Sequence, residues 1–408
     1  MIETTKAYTT GTHRLVSPEE TVDRVTKLMP IIGATRIANV TGLDTIGIPV
    51  VTVCRPNSRS ISVSQGKGLT LAAAKASALM ESLELHHAER PRLLLRRSSI
   101  EEMRVTDRSV DLSGLPRRTQ EPLARNLALL WAEGLNLLAG DASTWVPFSL
   151  VNADWTLPVL PESHVFVASS NGLASGNHRL EAVSHAICEL VERDATTLWY
   201  CGDARTRDAT RLSLATVDDA CCRRVLEKFN RANVRVAVWD ATTDIGIPSF
   251  MCMIDDAEWS QLRPVPPFGG EGCHPAREVA LLRALTEAAQ LRLMFISGSR
   301  DDLGHEEYRK RLDPEYSRQK AALMAGEGTR SFSIVPTWSS PSFEDDVAWE
   351  LERLRAVGIT EAVVVDLTRE ELGVPVVRVV IPGLEGIHDI PGYVAGKRAA
   401  ARLAERET

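Results

Sequence analysis

Three segments of this 408-residue chain carry the same polar stripe inside an otherwise apolar helical pattern. The first reads Ser77, Glu81, Glu84, the second His185, Glu189, Glu192, and the third Arg283, Glu287, Gln290. Each trio stands at i, i+4, i+7, and at about 100° per residue these positions fall within about 60° of one helix face. The residues between them are largely Ala, Leu, Val and Ile, so the stripes are predicted to point inward. Burying a carboxylate costs several kcal/mol unless something compensates. Glu81, Glu84, Glu189 and Glu192 outnumber the cations on the stripes, and the natural compensator is a hard divalent cation, which takes oxygen ligands. Such a chain reads as one built around a metal, with Glu81 and Glu84 as its first candidates.

A second repetition concerns strands. A Gly-apolar-Pro turn recurs at Gly47-Ile-Pro49, Gly246-Ile-Pro248 and Gly373-Val-Pro375, each followed by a β-branched run. Proline suits the start of a strand, and the runs that follow read as strands. Residues 235–240 and 361–366 supply preceding strands, which makes hairpins, with Asp44, Asp240 and Asp366 ahead of the three turns. The first two pairs are each followed by a glycine-rich turn and a striped helix, whereas the helix at 179–199 follows a less regular stretch. The predicted architecture is α+β: mixed sheets with packed helices, a diverged duplication of strand-pair-plus-helix units and not a doubly wound fold. One domain over 1–408 divides into 1–90 (first strand pair and glutamate helix), 91–160 (connecting subdomain), 161–300 (second and third site helices) and 301–408 (helical excursion and strand pair). Helical periodicity is expected around 119–137, and a charged helical excursion or lid at 300–330.

The glycine-rich turns are Gln65-Gly66-Lys67-Gly68, Ser170 to Asn177, and Phe268-Gly269-Gly270-Glu271-Gly272. Glycine permits close backbone approach, and amides at a helix N-terminus are anion donors. Lys67 adds a point charge suited to phosphate, although none of the turns is a Walker A loop. A glycine-rich turn beside a carboxylate stripe, three times over, is the pairing a phosphate–metal site needs. His185 reads as a satisfied core histidine and is left unassigned. Arg283 reads as structural, pairing across the site with carboxylates. Arg300-Asp301-Asp302 reads equally as a loop cap or as part of the site.

Composition narrows the classes. Lys+Arg 47 against Asp+Glu 54 makes the chain mildly acidic, which speaks against general nucleic-acid binding. No apolar run approaches the ~20 residues of a membrane span, and the N-terminus lacks the form of a signal peptide. Seven cysteines include no CxxC pair, so a disulfide framework or zinc ribbon is not expected, and the cytoplasm is the default compartment.

Over nearly its full length the chain resembles the YcaO family. The matching segments are GKGLTLAAAKASALMESLE, SNGLASGNHRLEAVSHAICELVER and TEAAQLR. Ser77, Glu81 and Glu84 meet the family's S-x-x-x-E-x-x-E motif. Glu189, Glu192 and Arg193 meet E-x-x-E-R, with Asn177 and Glu181 upstream, and Glu287 and Gln290 meet E-x-x-Q. The resemblance implies an ATP- and Mg2+-dependent enzyme acting on backbone amides of peptides. It implies that Glu81, Glu84, Glu181, Glu189 and Glu192 hold magnesium, while Ser77, Asn177, Arg193, Glu287 and Gln290 serve the nucleotide. Lys6, Arg14 and Lys67 are candidates for its phosphates, and no catalytic nucleophile or His/Asp dyad is evident.

Two products fit that chemistry. Azolines form when a Cys, Ser or Thr of a precursor peptide attacks the activated amide. Thioamides form when an external sulfur donor attacks, and a TfuA-like partner usually delivers it. Azoline-forming members commonly end in a PxPxP tail, whereas this chain ends Gly396-Lys-Arg-Ala-Ala-Ala-Arg-Leu-Ala-Glu-Arg-Glu-Thr. The segments GTHRLVSPEET and ISGSRDDL also resemble the TfuA-associated branch, which favours thioamide formation. The resemblance further implies a homodimer. Two readings from other classes remain: a nucleotide-binding accessory factor, and a ligase that activates a carboxylate.

Overall fold

In the computed structural model, residues 4–118, 121–159, 161–258, 264–390 and 392–407 are described. Their strands are β1 (Arg36–Asn39), β2 (Val50–Cys54), β3 (Val63–Lys67), β4 (Leu95–Ser99), β5 (Ala128–Asn136), β6 (Ala142–Pro147), β7 (Leu173–Ser175), β8 (Val234–Asp240), β9 (Ser249–Asp256), β10 (Phe268–Cys273), β11 (Val363–Asp366) and β12 (Val376–Val380). They form three sheets, β1-β2-β3, β10-β9-β8 and β4-β5-β11-β12-β7 with β6 on β5, and every pairing between these strands is antiparallel. The three striped segments are helices: α1 (Leu71–Glu89), α2 (Arg179–Cys201) and α3 (Arg277–Ser297). Thr70 and His178 cap the first two through side chains that accept from Ala73 N and Leu180 N, satisfying amides that an α-helix leaves orphaned.

The α+β expectation is met, and the repeated unit is larger than a strand pair. Each unit is three antiparallel strands and a helix. The first is β1-β2-β3 with α1, the second β8-β9-β10 with α3. The third is β11-β12-β7 with α2, so its first two strands come from residues 363–380 and its third from 173–175. The helix at 179–201, which lacks a strand pair ahead of it in sequence, thus takes the pair carrying the third Gly-apolar-Pro turn. In all three turns the glycine has positive φ (72°, 75° and 61° at Gly47, Gly246 and Gly373), and the proline directly precedes the second strand.

Two of the glycine-rich turns are in fact edge strands, β3 and β10. Their glycines let a helix lie directly on the strand backbone. A Cβ on Gly66 would overlap Ala78 N and Ala74 O, and one on Gly270 would overlap Ala284 O and Ala288 N. Alanines at 74, 78, 280, 284 and 288 complete these contacts from the helix side, which is why both helices look so alanine-rich.

The units close on one another. Besides its own strands, α1 rests on β7, α2 on β10 and α3 on β3. Each unit has its own apolar core, and a further cluster around Trp131, Phe166 and Met103 fills the sheet of β4–β6. Arg292 of α3, fully buried, ties two units together by pairing with Asp44 and with Asp256, both at 2.8 Å. Asp44 is the acid ahead of the first turn.

Residues 128–136 form a nine-residue strand, which corrects the helix expected around 119–137; residues 119 and 120 lie outside the described residues. The burial along β5 runs close to alternation, Leu129, Trp131, Ala132, Gly134 and Asn136 being inside, and its side chains pair across to β4, β6 and β11. A strand centred in a sheet overrides local helical preference. The charged stretch after 300 is helical as expected, at His305–Arg311 and Pro314–Leu323. All seven cysteines are free.

Candidate active site

The stripe positions are nearly the only incompletely buried residues along their stretches of helix. Ser77, Glu81, Glu84, His185, Glu189, Arg283, Glu287 and Gln290 are each partly exposed, while most of their neighbours are buried. The stripes face one another, with Lys67 2.8 Å from Glu287, Arg283 3.1 Å from His185 and Glu189 acting on Glu81 and Glu84, and the space between them is the cleft. Its carboxylates are held by backbone amides of edge strands and their flanks. Glu81 accepts from Gln65 N at 2.9 Å and Glu189 from Gly172 N at 2.9 Å, both in their own units. Glu84 accepts from Ser175 N at 2.8 Å and Glu192 from Cys273 N at 2.8 Å, each across to the next unit. An unpaired edge strand presents a row of free amides, and the edges of β3, β7 and β10 are where these carboxylates dock. Ser175 Oγ adds a bond to Glu84 at 2.7 Å.

Electrostatics divides the cleft. Burial, opposed by the Gln65 amide, pushes Glu81 up to about 7, and burial with Glu81 and Glu189 nearby pushes Glu84 up to about 8. Glu192 is raised for the same first reason. Burial also raises Glu287, but Lys67, 2.8 Å from its carboxylate, and Arg193 outweigh it and hold the group below its ordinary range. Arg193 is the hub, 2.5 Å from Glu271, 3.5 Å from Glu192 and 3.8 Å from Glu189. His185 is kept neutral by burial and by Arg283, which lies 3.1 Å from its Nδ1. Arg283 also acts electrostatically on Glu192 and Glu287, while its hydrogen bond goes to His185 and not to a carboxylate.

The upstream candidates gather at one side. Glu181 accepts from Leu15 N at 3.0 Å and lies 3.5 Å from Arg14. Asn177 donates to Glu181 at 3.4 Å, and its oxygen accepts from Thr21 and from Arg24 at 2.6 Å. Among the described residues Ser77 and Gln290 have no hydrogen-bond partner through their side chains. Lys6 departs from the expected placement. Its ammonium is buried against Asp346 at 2.5 Å and donates to Ser340 O and Ser340 Oγ, so its three donors are spent on anchoring the N-terminal segment. Asp301 is a cap, accepting from Ser62 N at 3.2 Å, while Arg300 pairs with Asp302 and lowers Glu81 from a distance.

Two charged residues within electrostatic reach of the stripe carboxylates went unassigned from sequence. Glu271 sits in the glycine-rich segment and was masked by the glycines; burial raises it to about 7. Arg378 is a lone charge in the strand Val-Val-Arg-Val-Val, and that interruption was the available signal. Arg193 and Glu271 also line a cavity of about 280 Å³ together with Lys310 and Lys320 of the charged excursion.

Among the described residues no three acidic, His or Cys side chains are grouped to hold an ion by themselves. Each carboxylate spends one oxygen on a strand amide and keeps the other. Mg2+ characteristically takes one or two carboxylates and completes its shell with phosphate and water. The donor set, carboxylates of which Glu81 and Glu84 are pushed up chiefly by burial, fits such an ion. Glu81, Glu84, Glu181, Glu189 and Glu192 are the residues that would hold such ions, one or two carboxylates to each.

Residues 65–385 match a family model described as "YcaO cyclodehydratase, ATP-ad Mg2+-binding". A protein of Rhizobium leguminosarum bv. trifolii, described as an uncharacterized protein in the tfuA 3′ region, is 37% identical over 97% of this chain and 94% of its own length. An uncharacterized protein of Methanothermobacter thermautotrophicus is 36% identical over 91% of this chain and 94% of its own. Among solved structures, YcaO from Methanopyrus kandleri bound with AMPPCP and Mg2+ superposes with a TM-score of 0.74 at 24% identity, covering 94% of this chain and 95% of that one. A heterocyclase in complex with substrate and cofactor gives 0.77 at 22% identity over 95% of this chain, which spans about half of that longer protein (54%).

Proposed function

Because this chain belongs to the YcaO family, we propose that it uses ATP and Mg2+ to phosphorylate a backbone amide oxygen of a peptide, and that an external sulfur nucleophile then displaces phosphate to leave a thioamide. The observation that carries the proposal is the cleft itself: three helices from three units bring carboxylates, Arg193 and Arg283 together with Lys67 of β3. ATP supplies the phosphoryl group that makes the amide oxygen a leaving group, and Mg2+ supplies the charge neutralisation that phosphoryl transfer needs. Glu81, Glu84, Glu181, Glu189 and Glu192 would hold the ion, each carboxylate being fixed beforehand by a backbone amide. Ser77, Asn177 and Gln290 offer neutral polar groups, and Glu287 with Lys67 and Arg283 forms the less negative wall. Arg14 beside Glu181 closes the side nearest the N-terminal segment. Catalysis of this kind is positioning and charge stabilisation, and it needs no protein nucleophile.

Sulfur as the nucleophile is supported by the relative from the tfuA 3′ region, and a TfuA-like partner with a sulfur donor is part of this reading. The last described helix is α4 (Lys397–Glu407). Arg398 pairs with Asp194 at 3.0 Å, and Glu385 accepts from Gly396 N and Ala399 N. Asp194 stands about 200° round α2 from Glu192, so this segment docks on the side of α2 opposite the cleft.

The experiment has two stages. Calorimetric titration with AMPPCP is expected to give binding only with Mg2+, and a Glu84→Gln/Glu192→Gln double variant is expected to lose it. Peptide masses from the source cells, with the gene intact and disrupted, are then expected to differ by one sulfur for one oxygen. Loss of one water in place of that exchange would assign azoline formation, and binding with no change of mass would assign an accessory factor.

A further inference from the structure

Arg378 sits at the centre of an apolar strand and is only 3% exposed. Val376 and Val380, which share its face of the sheet, pack into the core with Leu85, Ala88 and Phe166. Its one hydrogen bond runs from Nη2 to Ser169 O at 2.7 Å. Nε and Nη1 are buried without a partner. Burial lowers its pKa to about 10, opposed only by Glu189, so it remains a cation at neutral pH.

A structural role does not account for this. The other buried arginines are better satisfied: Arg292 pairs with Asp44 and Asp256, Arg55 bidentately with Glu89, and Arg211 donates to two backbone carbonyls, Met324 O and Ala325 O. A buried charge with one neutral hydrogen bond is costly, and a methionine would fill a similar volume without that cost. Buried unsatisfied donors call for an explanation, and an absent ligand is one.

Its position says what the ligand would be. Ser169 and Gly172 belong to the segment that leads into β7. Gly172 N holds Glu189, and Gly172 O accepts from Val379 N, the residue beside Arg378. Arg378 therefore lies against the backbone that positions a carboxylate of the cleft, and that carboxylate, Glu189, acts on it electrostatically. A desolvated guanidinium with unspent donors is suited to phosphoryl oxygens. We propose that Arg378 binds a phosphoryl oxyanion in the cleft beside Glu189, either the transferable phosphate of the nucleotide or that phosphate after it has left the nucleotide. The inference rests on the nucleotide reading above and extends it to a residue outside the three stripes.

The test compares wild type, Arg378→Met and Arg378→Lys by calorimetry with AMPPCP·Mg2+, with ADP·Mg2+, and with orthophosphate added to the ADP·Mg2+ complex. Thermal unfolding without ligand and with orthophosphate alone accompanies it. Removing an unpaired buried charge is expected to leave the ligand-free melting temperature of Arg378→Met equal or higher. The same variant is expected to lose about tenfold or more in affinity for one phosphate-bearing probe, with partial recovery in Arg378→Lys. Weakening of AMPPCP·Mg2+ but not of ADP·Mg2+ assigns the contact to the terminal phosphate of the nucleotide. Weakening of orthophosphate alone assigns it to the transferred phosphate. Equal affinities for all probes overturn the proposal, as does a lowered ligand-free melting temperature with affinities intact, which would make Arg378 structural. If wild type binds no nucleotide, the functional reading fails, while loss of the orthophosphate-induced shift in Arg378→Met still decides the oxyanion site.

Discussion

Binding of a divalent ion to this cleft should expel protons, because its first two carboxylates are partly protonated near neutrality. Glu81 is pushed up to about 7 and Glu84 to about 8, chiefly by burial. Treated as separate sites, Glu81 is half ionised at pH 7 and Glu84 roughly one-tenth ionised, so an ion that requires both charges releases roughly 1.4 protons there. The affinity for AMPPCP·Mg2+ should then climb roughly a thousandfold from pH 6 to pH 9 and level off above both values, the pair titrating as one coupled system. The sign for folding is opposite. A carboxyl whose folded pKa exceeds its unfolded one binds more protons in the native state, so the ligand-free protein loses stability as pH rises from about 5 through about 8. The assay is calorimetry at pH 7 in two buffers of different ionisation enthalpy, which counts protons directly. Glu84→Gln removes the larger contribution, and its release should fall to about half a proton, with any protons from the nucleotide common to both. If wild type releases no more protons than Glu84→Gln, then Glu84 is either ionised beforehand or not at the ion, and the argument fails.

Arg193→Met should destabilise the protein by about 3–5 kcal/mol at pH 8, since Glu192 and Glu271 lose their shared cation; urea unfolding at pH 6 should show a smaller loss, because Glu271 at about 7 is then protonated. Gly270→Ala forces a Cβ into Ala284 O and Ala288 N and should cost about 1–3 kcal/mol. Its control is the adjacent Gly269→Ala, whose Cβ meets nothing among the described residues closer than Cys252 O at 3.6 Å, and equal melting temperatures for the two would refute the close-packing account. Arg398→Met strands the buried Asp194 and should release residues 385–407 to limited trypsin digestion while AMPPCP·Mg2+ affinity stays within twofold, a pattern read by mass spectrometry of the fragments.

The helices and strand pairs were legible because periodicity survives in single segments. The stripes announced α1, α2 and α3, and Pro49, Pro248 and Pro375 stand directly ahead of strands β2, β9 and β12. What sequence could not give was which strands each helix lies on. The strand pair of α2 comes from residues almost two hundred positions later, and nothing local to 170–200 encodes that. The glycines misled in an instructive way: Gly66 and Gly270 are needed for close packing on alanines across the sheet, a tertiary demand that reads locally as a turn. The compensation of the carboxylates was also only half foreseen. An ion was expected, but edge-strand amides at Gln65, Gly172, Ser175 and Cys273 already carry part of that burden. Lys6 was a reasonable phosphate candidate by charge, and only the fold places it against Asp346.

Repetition makes the cleft, and divergence makes it polar in one direction. The three helices offer equivalent positions: Ser77, His185 and Arg283; Glu81, Glu189 and Glu287; Glu84, Glu192 and Gln290. Had all three kept the same residues, the ring would enclose a symmetrical cluster of acids, repelling any polyanion. Instead α3 carries Arg283 at the first position and a neutral Gln290 at the third, and Lys67 cancels its one carboxylate. The α1 and α2 walls keep four carboxylates, two of them with pKa values raised to about 7 and about 8. A dication therefore gains on one side of the cleft, and the anion that accompanies it is least repelled on the other. Opposite charges brought together in a partly desolvated space attract more strongly than in water, so the asymmetry of α3 favours a metal–phosphate pair over either ion alone. The same reasoning explains the expense of Arg193, placed where the two acidic walls would otherwise face each other and Glu271 unscreened.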